Sequence, residues 1–310
     1  MNHNNCLICG CKTILIPLNL FDTRFGIVEE YDIGYCSQCG LLQTIPVPSY
    51  DEIKNLYDTY YNFGGEKNTL YTRLREWFLS SRIYHLWLII DGDISFYKIR
   101  GSGRLLDIGC NEGRGLKIYQ TNGFEVEGLE LNATAATVAR KKGFIVHTAP
   151  IEHFKPVIPY DVVVLSNVLE HSLDPKGMLL HIQQILKPTG QLWISCPNYK
   201  SWLRWIFGKH WINWHVPFHI VHYSTENLKR LMKDSGFKIM KIKQVTPALW
   251  VAQSIIVRLF SKRGKPTKQL HNPLLVGALM ILVRGFLFPL LWLGNRIGHG
   301  DCLVVVARKR

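Results

Sequence analysis

The stretch LLDIGCNEG at residues 105–113 constrains the fold of this chain more than any other part of it. An apolar run that stops at an acid and then at small residues predicts a buried parallel strand leading into a tight turn. The glycines at Gly109 and Gly113 let a ligand approach backbone that a Cβ would block. The helix expected to follow presents unpaired N–H groups in its first turn. The stretch therefore predicts a site for a nucleotide-like cofactor.

Strands and helices alternate along the chain from residue 104 onward. Short apolar runs bounded by turn residues predict the strands, and helices fill most of the gaps between them. Asp174 followed by Pro175 predicts the start of a helix that we expect to run to Lys187. The pattern predicts an α/β fold, a doubly wound, mostly parallel seven-stranded sheet with helices on both faces. The predicted strands lie near residues 104–108, 125–130, 144–148, 160–166, 191–196, 237–244 and 302–307.

A glycine-rich turn after a first strand can bind several kinds of cofactor, and the spacing of its glycines and acids distinguishes between them. The chain lacks the Gly-x-Gly-x-x-Gly pattern of dinucleotide folds and the Gly-x-x-x-x-Gly-Lys-Ser pattern of phosphate-binding loops. It carries Asp107 and Gly109, which are separated by one residue, and Glu130 at the end of the second predicted strand. An acid at that position accepts hydrogen bonds from ribose hydroxyls. The spacing therefore favours a nucleoside-containing cofactor held without a phosphate cradle.

Residues 104–245 resemble the class I S-adenosylmethionine-dependent methyltransferases, which have a Rossmann-like sheet. The segment DIGCNEG at 107–113 is similar to their first motif, and Glu130 matches the acid that holds the ribose. The segment DVVVLSNVLEH at 161–171 is similar to the motif of the fourth strand, and KPTG at 187–190 to the turn after it. The resemblance implies that S-adenosylmethionine is the cofactor. The residues implied to bind it are Asp107, Gly109, Cys110, Asn111, Gly113, Glu130, Leu131, Ser166 and Asn167.

The chain departs from this family at one position, because Asn111 stands where the family usually has glycine. Asparagine tolerates positive φ better than most residues, so we expect the turn to keep its shape. The alternative is a methyltransferase-like protein that binds ligand without turnover.

Two Cys-x-x-Cys pairs near the N-terminus predict a metal site. The pairs are Cys6 with Cys9 and Cys36 with Cys39, and each is followed by glycine. Four thiolates at this spacing can close a tetrahedral zinc site, and a module too small for its own core gains folding free energy from the metal. The alternative is that the cysteines are small buried apolar residues. The paired motifs resemble the zinc-bearing N-terminal module of bacterial methyltransferases that modify sugars.

A second segment bears on the substrate and on catalysis. Residues 214–224, WHVPFHIVHYS, are similar to a segment of enzymes from surface-polysaccharide pathways, which favours a small-molecule or saccharide acceptor. Methyl transfer is an in-line displacement, and a hydroxyl acceptor needs a base for its proton, a role that suits histidine. His171 follows the fourth strand and His219 the fifth, on the ligand side of the sheet. We predict His219 as the base ahead of His171, with purely structural roles as the alternative.

Residues 246–300 form an apolar and basic insertion before the last strand. Beyond residue 240 the chain has twelve Lys and Arg residues against one acid, Asp301. Residues 274–293 are long enough to span a bilayer, but Arg284 and Pro289 interrupt them, and the last strand must return to the sheet. We therefore expect a helical insertion that lies on a membrane surface, with an acceptor such as a lipid-linked saccharide. A helical lid packed on a soluble domain is the alternative.

The predicted organisation has four parts, and the charge distribution narrows the partners. Residues 1–60 carry three Lys and Arg residues against seven Asp and Glu residues and would repel phosphate, so an RNA methyltransferase is the less favoured alternative although the net charge is +14. No apolar signal segment opens the chain, which favours a cytoplasmic location, with peripheral contact at the inner membrane face. The parts are a zinc-binding module (1–48), a helical linker with helices over 50–60 and 70–90 (49–100), a methyltransferase domain (101–245 and 301–310) and the insertion (246–300).

Overall fold

The computed structural model describes residues 5–60, 73–74, 77–78 and 81–310 of the chain. The predicted helix over 70–90 lies partly outside these residues, and the helix over 50–60 is present. In chain order the strands are β1 (Ile14–Phe21), β2 (Glu30–Tyr35), β3 (Leu42–Ile45), β4 (Arg104–Ile108), β5 (Glu125–Leu129), β6 (Ile145–His147), β7 (Tyr160–Ser166), β8 (Leu186–Pro197), β9 (Val221–His222), β10 (Phe237–Val245) and β11 (Cys302–Lys309). The α-helices are α1 (Tyr50–Tyr60), α2 (Arg82–Asp91), α3 (Arg114–Thr121), α4 (Ala133–Lys141), α5 (Pro175–Ile185), α6 (Trp202–Phe207), α7 (Thr225–Asp234), α8 (Ala248–Phe260) and α9 (Pro273–Arg296).

The large sheet has seven strands in the order β10-β11-β8-β7-β4-β5-β6, which confirms the predicted fold class. The strands from β8 to β6 are parallel, and β11 runs antiparallel between β8 and β10. Because β4 and β7 lie in the middle and are covered on both faces, their apolar residues are almost all buried. The carboxyl ends of β4, β5, β7 and β8 therefore meet at one edge, where ligands bind in such sheets.

The start of β8 differs from the prediction. The strand begins at Leu186, and α5 ends at Ile185 instead of running to Lys187. Leu186 pairs with Tyr160 of β7, and the Lys187 ammonium lies 2.8 Å from an Asp161 carboxylate oxygen. Tertiary pairing thus extends the strand through residues whose sequence reads as a turn.

The N-terminal segment forms a second, four-stranded sheet in the order β1-β2-β3-β9. The fourth strand, β9, comes from the connection after β8, and it pairs His222 with Leu42 and Val221 with Gln43. The side chains of Cys6 and Cys36 are buried in the same apolar cluster as the core of the large sheet. The segment 5–48 therefore shares both a sheet and a core with the rest of the chain.

The insertion consists of α8 and α9 packed against each other. Helix α8 buries residues such as Val251 and Ile256, whereas α9 buries only a narrow stripe that includes Val276, Val283 and Leu291. Among the described residues, α9 is the one helix long and apolar enough to cross a membrane, judged by length and composition alone. Only 22% of its most apolar 18-residue window is buried in the protein. Most of the circumference of α9 is thus apolar and exposed.

The middle of α9 is fixed by a buried ion pair. The Arg284 guanidinium donates through Nε to Asp91 Oδ1 at 2.8 Å, and through a terminal nitrogen to the same carboxylate and to the Thr246 carbonyl oxygen. Asp91 Oδ1 also accepts from the Ala248 amide at 2.8 Å, at the start of α8. Burial raises the pKa of Asp91, and the Arg284 charge opposes this effect. The arginine that interrupts the apolar stretch thus joins α2, α8 and α9.

Replacing Arg284 with methionine would leave the Asp91 carboxylate buried without its cation. We expect Arg284→Met to lower the free energy of unfolding by roughly 3–5 kcal/mol, the usual loss when one partner of a buried pair is removed. Urea denaturation followed by circular dichroism measures this. The control is Arg296→Met on the exposed end of the same helix, which should change stability by less than about 0.5 kcal/mol. Equal effects of the two substitutions would contradict the assignment.

Candidate cofactor and acceptor site

The turn after β4 has the backbone shape that its sequence predicts. Gly109 and Gly113 adopt φ values of +71° and +78°. A Cβ added at Gly109 would lie 2.8 Å from Val168 Cγ2, so the position excludes larger residues by space as well as by conformation. Asn111 adopts φ +50°, and its Oδ1 accepts from the Glu112 amide at 2.7 Å. The prediction that asparagine preserves the turn is therefore confirmed.

Glu130 ties this turn to the one that follows β5. Its Oε2 accepts from the Asn111 amide and its Oε1 from the Asn132 amide, each at 2.8 Å. Burial raises the pKa of Glu130, and burial together with the Glu130 charge raises the pKa of Asp107 to about 8. Two neighbouring carboxyl groups with spare lone pairs suit a ligand that brings hydroxyl and ammonium donors. The ribose and amino acid parts of S-adenosylmethionine supply such donors.

The other predicted cofactor residues take different places around this edge. The Cys110 side chain is buried beneath the turn in an apolar cluster, so its backbone alone faces the crevice. Leu131 is 58% exposed just after β5. Ser166 Oγ lies 3.3 Å from Ser195 Oγ, at the ends of β7 and β8. Asn167 follows with φ +55°, and its Oδ1 is buried with no hydrogen-bond partner among the described residues. The structure thus brings Asn167 and Ser166 to the carboxyl edge and turns Cys110 inward.

The two predicted catalytic histidines lie side by side. His171 sits in a short 3-10 helix (Leu169–His171) after β7, and its ring centroid is 4.7 Å from that of His219. His219 Nδ1 lies 2.8 Å from the Asn213 carbonyl oxygen, and His171 Nδ1 lies 2.9 Å from the Phe218 carbonyl oxygen. A carbonyl only accepts, so Nδ1 carries the proton in His219 and its Nε2 has a free lone pair. His171 Nδ1 also lies 2.9 Å from the Tyr57 hydroxyl.

Both imidazoles are neutral near pH 7. Burial lowers the pKa of His171 to about 4 and holds the pKa of His219 well below its usual range. A neutral imidazole has one unprotonated ring nitrogen that can accept a proton or bind a metal ion. The predicted role of His219 as a base is therefore chemically possible.

The position of His219 depends on residues that the sequence did not single out for catalysis. Asp301, buried at the start of β11, accepts from Trp211 Nε1 at 2.8 Å and from Asn213 Nδ2 at 3.0 Å. Asn213 in turn accepts from His219 through its carbonyl oxygen. This chain of contacts joins positions almost ninety residues apart, so no local pattern could have identified it.

The four N-terminal cysteines converge as predicted. Cys6 Sγ lies 3.5 Å from Cys39 Sγ, and Cys9 Sγ lies 3.4 Å from Cys36 Sγ. All four sulfur atoms lie within 4.8 Å of one another. Tetrahedral zinc with bonds of about 2.3 Å holds its sulfur ligands about 3.8 Å apart, so the arrangement fits the metal. The two knuckles also match in backbone, since Gly10 and Gly40 both adopt φ +71°.

Comparison with known proteins agrees with this geometry. Residues 90–242 match the family model described as a methyltransferase domain. The ubiquinone biosynthesis O-methyltransferases of Cronobacter sakazakii and Yersinia enterocolitica are 29% and 30% identical to the chain over 142 residues. These alignments cover 43% of this chain and 56% and 57% of the relatives, so the chain spans little more than half the length of the curated proteins it matches.

A solved structure shows the same fold. An S-adenosylmethionine-dependent methyltransferase from Thermotoga maritima, described as a possible histamine N-methyltransferase, aligns with a TM-score of 0.50 and 18% identity. The alignment covers 83% of this chain and all of that one. The matched segment and the sheet order together support a Rossmann-like, S-adenosylmethionine-dependent methyltransferase domain over residues 90–242.

Replacing Asn111 with glycine tests the role of the irregular position in the turn. We expect Asn111→Gly to bind S-adenosylmethionine within about threefold of the original affinity, because glycine adopts φ +50° without strain and one exposed hydrogen bond contributes roughly 0.5–1.5 kcal/mol. Isothermal titration calorimetry measures the affinity. The matched variant Asn111→Val keeps a side chain that resists positive φ and should bind at least about tenfold more weakly. Loss of binding in Asn111→Gly would show instead that the asparagine side chain contacts the donor.

Proposed function

We propose that the protein transfers the methyl group of S-adenosylmethionine to a hydroxyl of a small-molecule or saccharide acceptor. The single observation that carries the proposal is the convergence of the Glu130-linked turns and the neutral His171 and His219 pair at one edge of the sheet. The names of the curated relatives describe O-methyl transfer, which supports an oxygen acceptor.

The reaction places few demands on the protein besides position. The acceptor oxygen forms a bond to the methyl carbon as the carbon–sulfur bond breaks, leaving S-adenosylhomocysteine and a proton. Holding the donor and acceptor in line supplies most of the rate enhancement. In this scheme Glu130 and Asp107 hold the donor, and a neutral imidazole of the histidine pair accepts the proton that leaves the acceptor hydroxyl.

The Cys6, Cys9, Cys36 and Cys39 cluster supports a structural zinc ion in the proposal. A tetrahedral ion bound by all four sulfur atoms has no coordination position left for another ligand, which is typical of a structural site. Zinc there would hold the knuckles that precede β1 and β3. Because β3 pairs with β9, the ion would also stabilise the connection that carries His219.

The insertion supports a membrane-bound acceptor as the finer proposal. Helix α9 exposes a broad apolar surface while its buried stripe holds it against the domain. The loop between α8 and α9 carries basic residues at one end of this surface, and Arg296 lies at the other. Apolar side chains flanked by bases suit the headgroup boundary of an anionic membrane. Helix α8 follows β10 at the carboxyl edge, so a membrane-held acceptor would lie on the crevice side. The exposed apolar residues of α9 include Leu274, Ile281, Leu282, Phe286, Phe288, Leu290, Trp292 and Leu293.

Methyl-labelled S-adenosylmethionine tests the proposed activity directly. We expect the chain to transfer label into the glycolipid or nucleotide-sugar fraction of a bacterial extract. Glu130→Gln should reduce transfer at least about tenfold, because a charged hydrogen-bond acceptor contributes roughly 1.5–3 kcal/mol. Glu125→Gln, at the exposed opposite end of the same strand, is the matched control and should retain activity. Label recovered in RNA, or equal activity of the two variants, would overturn the assignment.

Liposome co-sedimentation tests the membrane surface. The double variant Ile281→Glu/Phe286→Glu places two carboxylates on the exposed face of α9, and we expect it to bind anionic vesicles about tenfold or more weakly, since each charge near the surface contributes about 1 kcal/mol. Val157→Glu is the control, because Val157 is 99% exposed on a loop at the other edge of the sheet. Point substitutions are preferable to deletion because α8 lies in the core. Equal sedimentation of the two variants would contradict the proposal.

A further inference from the structure

Glu170 is a buried carboxyl group for which the described residues provide no hydrogen-bond donor. It is 1% exposed, and within the described part of the chain neither Oε1 nor Oε2 has a hydrogen-bond partner. Buried acids of this kind are rare because desolvation is costly, and they are normally paired or bound to metal. The position of Glu170 therefore calls for an electropositive partner.

The side chains around Glu170 supply further lone pairs. His219 Nε2 lies 4.0 Å from Glu170 Oε1, and one ligand atom from each of Glu170, His171 and His219 lies within 4.8 Å of the others. The Asn213 carbonyl oxygen accepts from His219 Nδ1, which leaves His219 Nε2 unprotonated, and His171 Nδ1 lies 2.9 Å from both the Phe218 carbonyl oxygen and the Tyr57 hydroxyl. One carboxyl group and two imidazoles thus converge.

The distances favour a metal ion over a shared proton. A hydrogen bond between a carboxyl group and an imidazole needs about 2.7–3.2 Å between its heavy atoms, which is shorter than the separation found here. Two ligands with metal bonds of about 2.0–2.2 Å lie about 3.3–3.6 Å apart across one tetrahedral ion, so a shift of about half an ångström would bring the Glu170 and His219 atoms to coordinating distance. Histidine ligands also usually donate their other N–H to a carbonyl or carboxylate, as His219 does to the Asn213 carbonyl oxygen.

The backbone holds the three groups in place. The Ile220 amide donates to the Glu170 carbonyl oxygen at 2.8 Å, which joins the segment of Glu170 and His171 to the loop of His219. His215, one turn before His219, adopts φ +40°, and such strain in a non-glycine residue is concentrated at functional sites. The cluster is thus built from two segments that are tied together independently of any ligand.

We propose that Glu170, His171 and His219 bind a divalent transition-metal cation, such as Zn²⁺ or Mn²⁺, at the acceptor side of the crevice. Two imidazoles and one carboxylate leave further positions open to a ligand. The site lies just beyond β7, and its role rests on the proposed function. A bound cation would take the acceptor hydroxyl as a ligand and lower its pKa, so that the proton leaves to solvent. His219 would then position the cation and would not itself accept the proton.

Metal binding by the full chain tests the inference without any need for turnover. The probe is Mn²⁺, followed by electron paramagnetic resonance on chain already loaded with Zn²⁺ at the cysteine cluster, because Mn²⁺ prefers oxygen and nitrogen ligands to thiolates. We expect one Mn²⁺ per chain, at least about a hundredfold weaker binding in Glu170→Gln and His219→Gln, and unchanged binding in His210→Gln. His210 is the matched control because it lies in the same connection outside the cluster.

Total zinc supplies a second readout. After exposure to Zn²⁺ and desalting, we expect two zinc ions per chain, one in Glu170→Gln and one in Cys9→Ser. Glu170→Gln removes a buried charge without changing volume, so it should fold, and circular dichroism checks this. A folded chain that binds no Mn²⁺ and a single zinc ion, lost in Cys9→Ser, would overturn the inference. Metal bound at this cluster without methyl transfer would overturn the proposed function and leave the inference standing.

Discussion

The return of β11 to the large sheet, between β8 and β10, is the constraint on which the rest of the structure depends. The strand lies antiparallel between β8 and β10, so the insertion must leave the carboxyl edge and come back to it. Asp301, at the start of β11, accepts from Trp211 and Asn213, and Asn213 fixes the ring of His219. The same return that closes the sheet therefore also positions the side chains of the crevice.

The parts of the fold that were predicted correctly are those with a local signal. The central strands follow apolar runs, and the turn of residues 107–113 and the cysteine knuckles follow fixed spacings, so each could be located to within a few residues. The start of β8 was predicted wrongly because its pairing with β7 overrides the turn signal at 187–190. The ion pair of Arg284 with Asp91 and the contact of Asp301 with Asn213 join distant positions, and no spacing in the sequence encodes them. In the sequence, Arg284 is recognisable only as a charge that disfavours membrane insertion. In the structure it anchors α9 through its ion pair with Asp91.

The two sheets are coupled through one short segment. Thr44 of β3 donates from Oγ1 to the His219 carbonyl oxygen at 2.7 Å, and its amide donates to the Ile220 carbonyl oxygen at 2.9 Å. The Ile220 amide donates to Glu170, beside His171. The cysteine knuckles, the small sheet and the histidine pair therefore form one connected framework, so a disturbance of the knuckles would reach the crevice through backbone hydrogen bonds.

The pairing of β9 with β3 has a further consequence. Without β9, the outer side of β3 would present unpaired N–H and C=O groups, and such open edges promote intermolecular strand pairing. The connection that places His219 thus also shields the small sheet from self-association. A substitution that destabilises this connection would displace His219 from the crevice and expose the unpaired N–H and C=O groups of β3. Loss of solubility would then accompany loss of ligand binding.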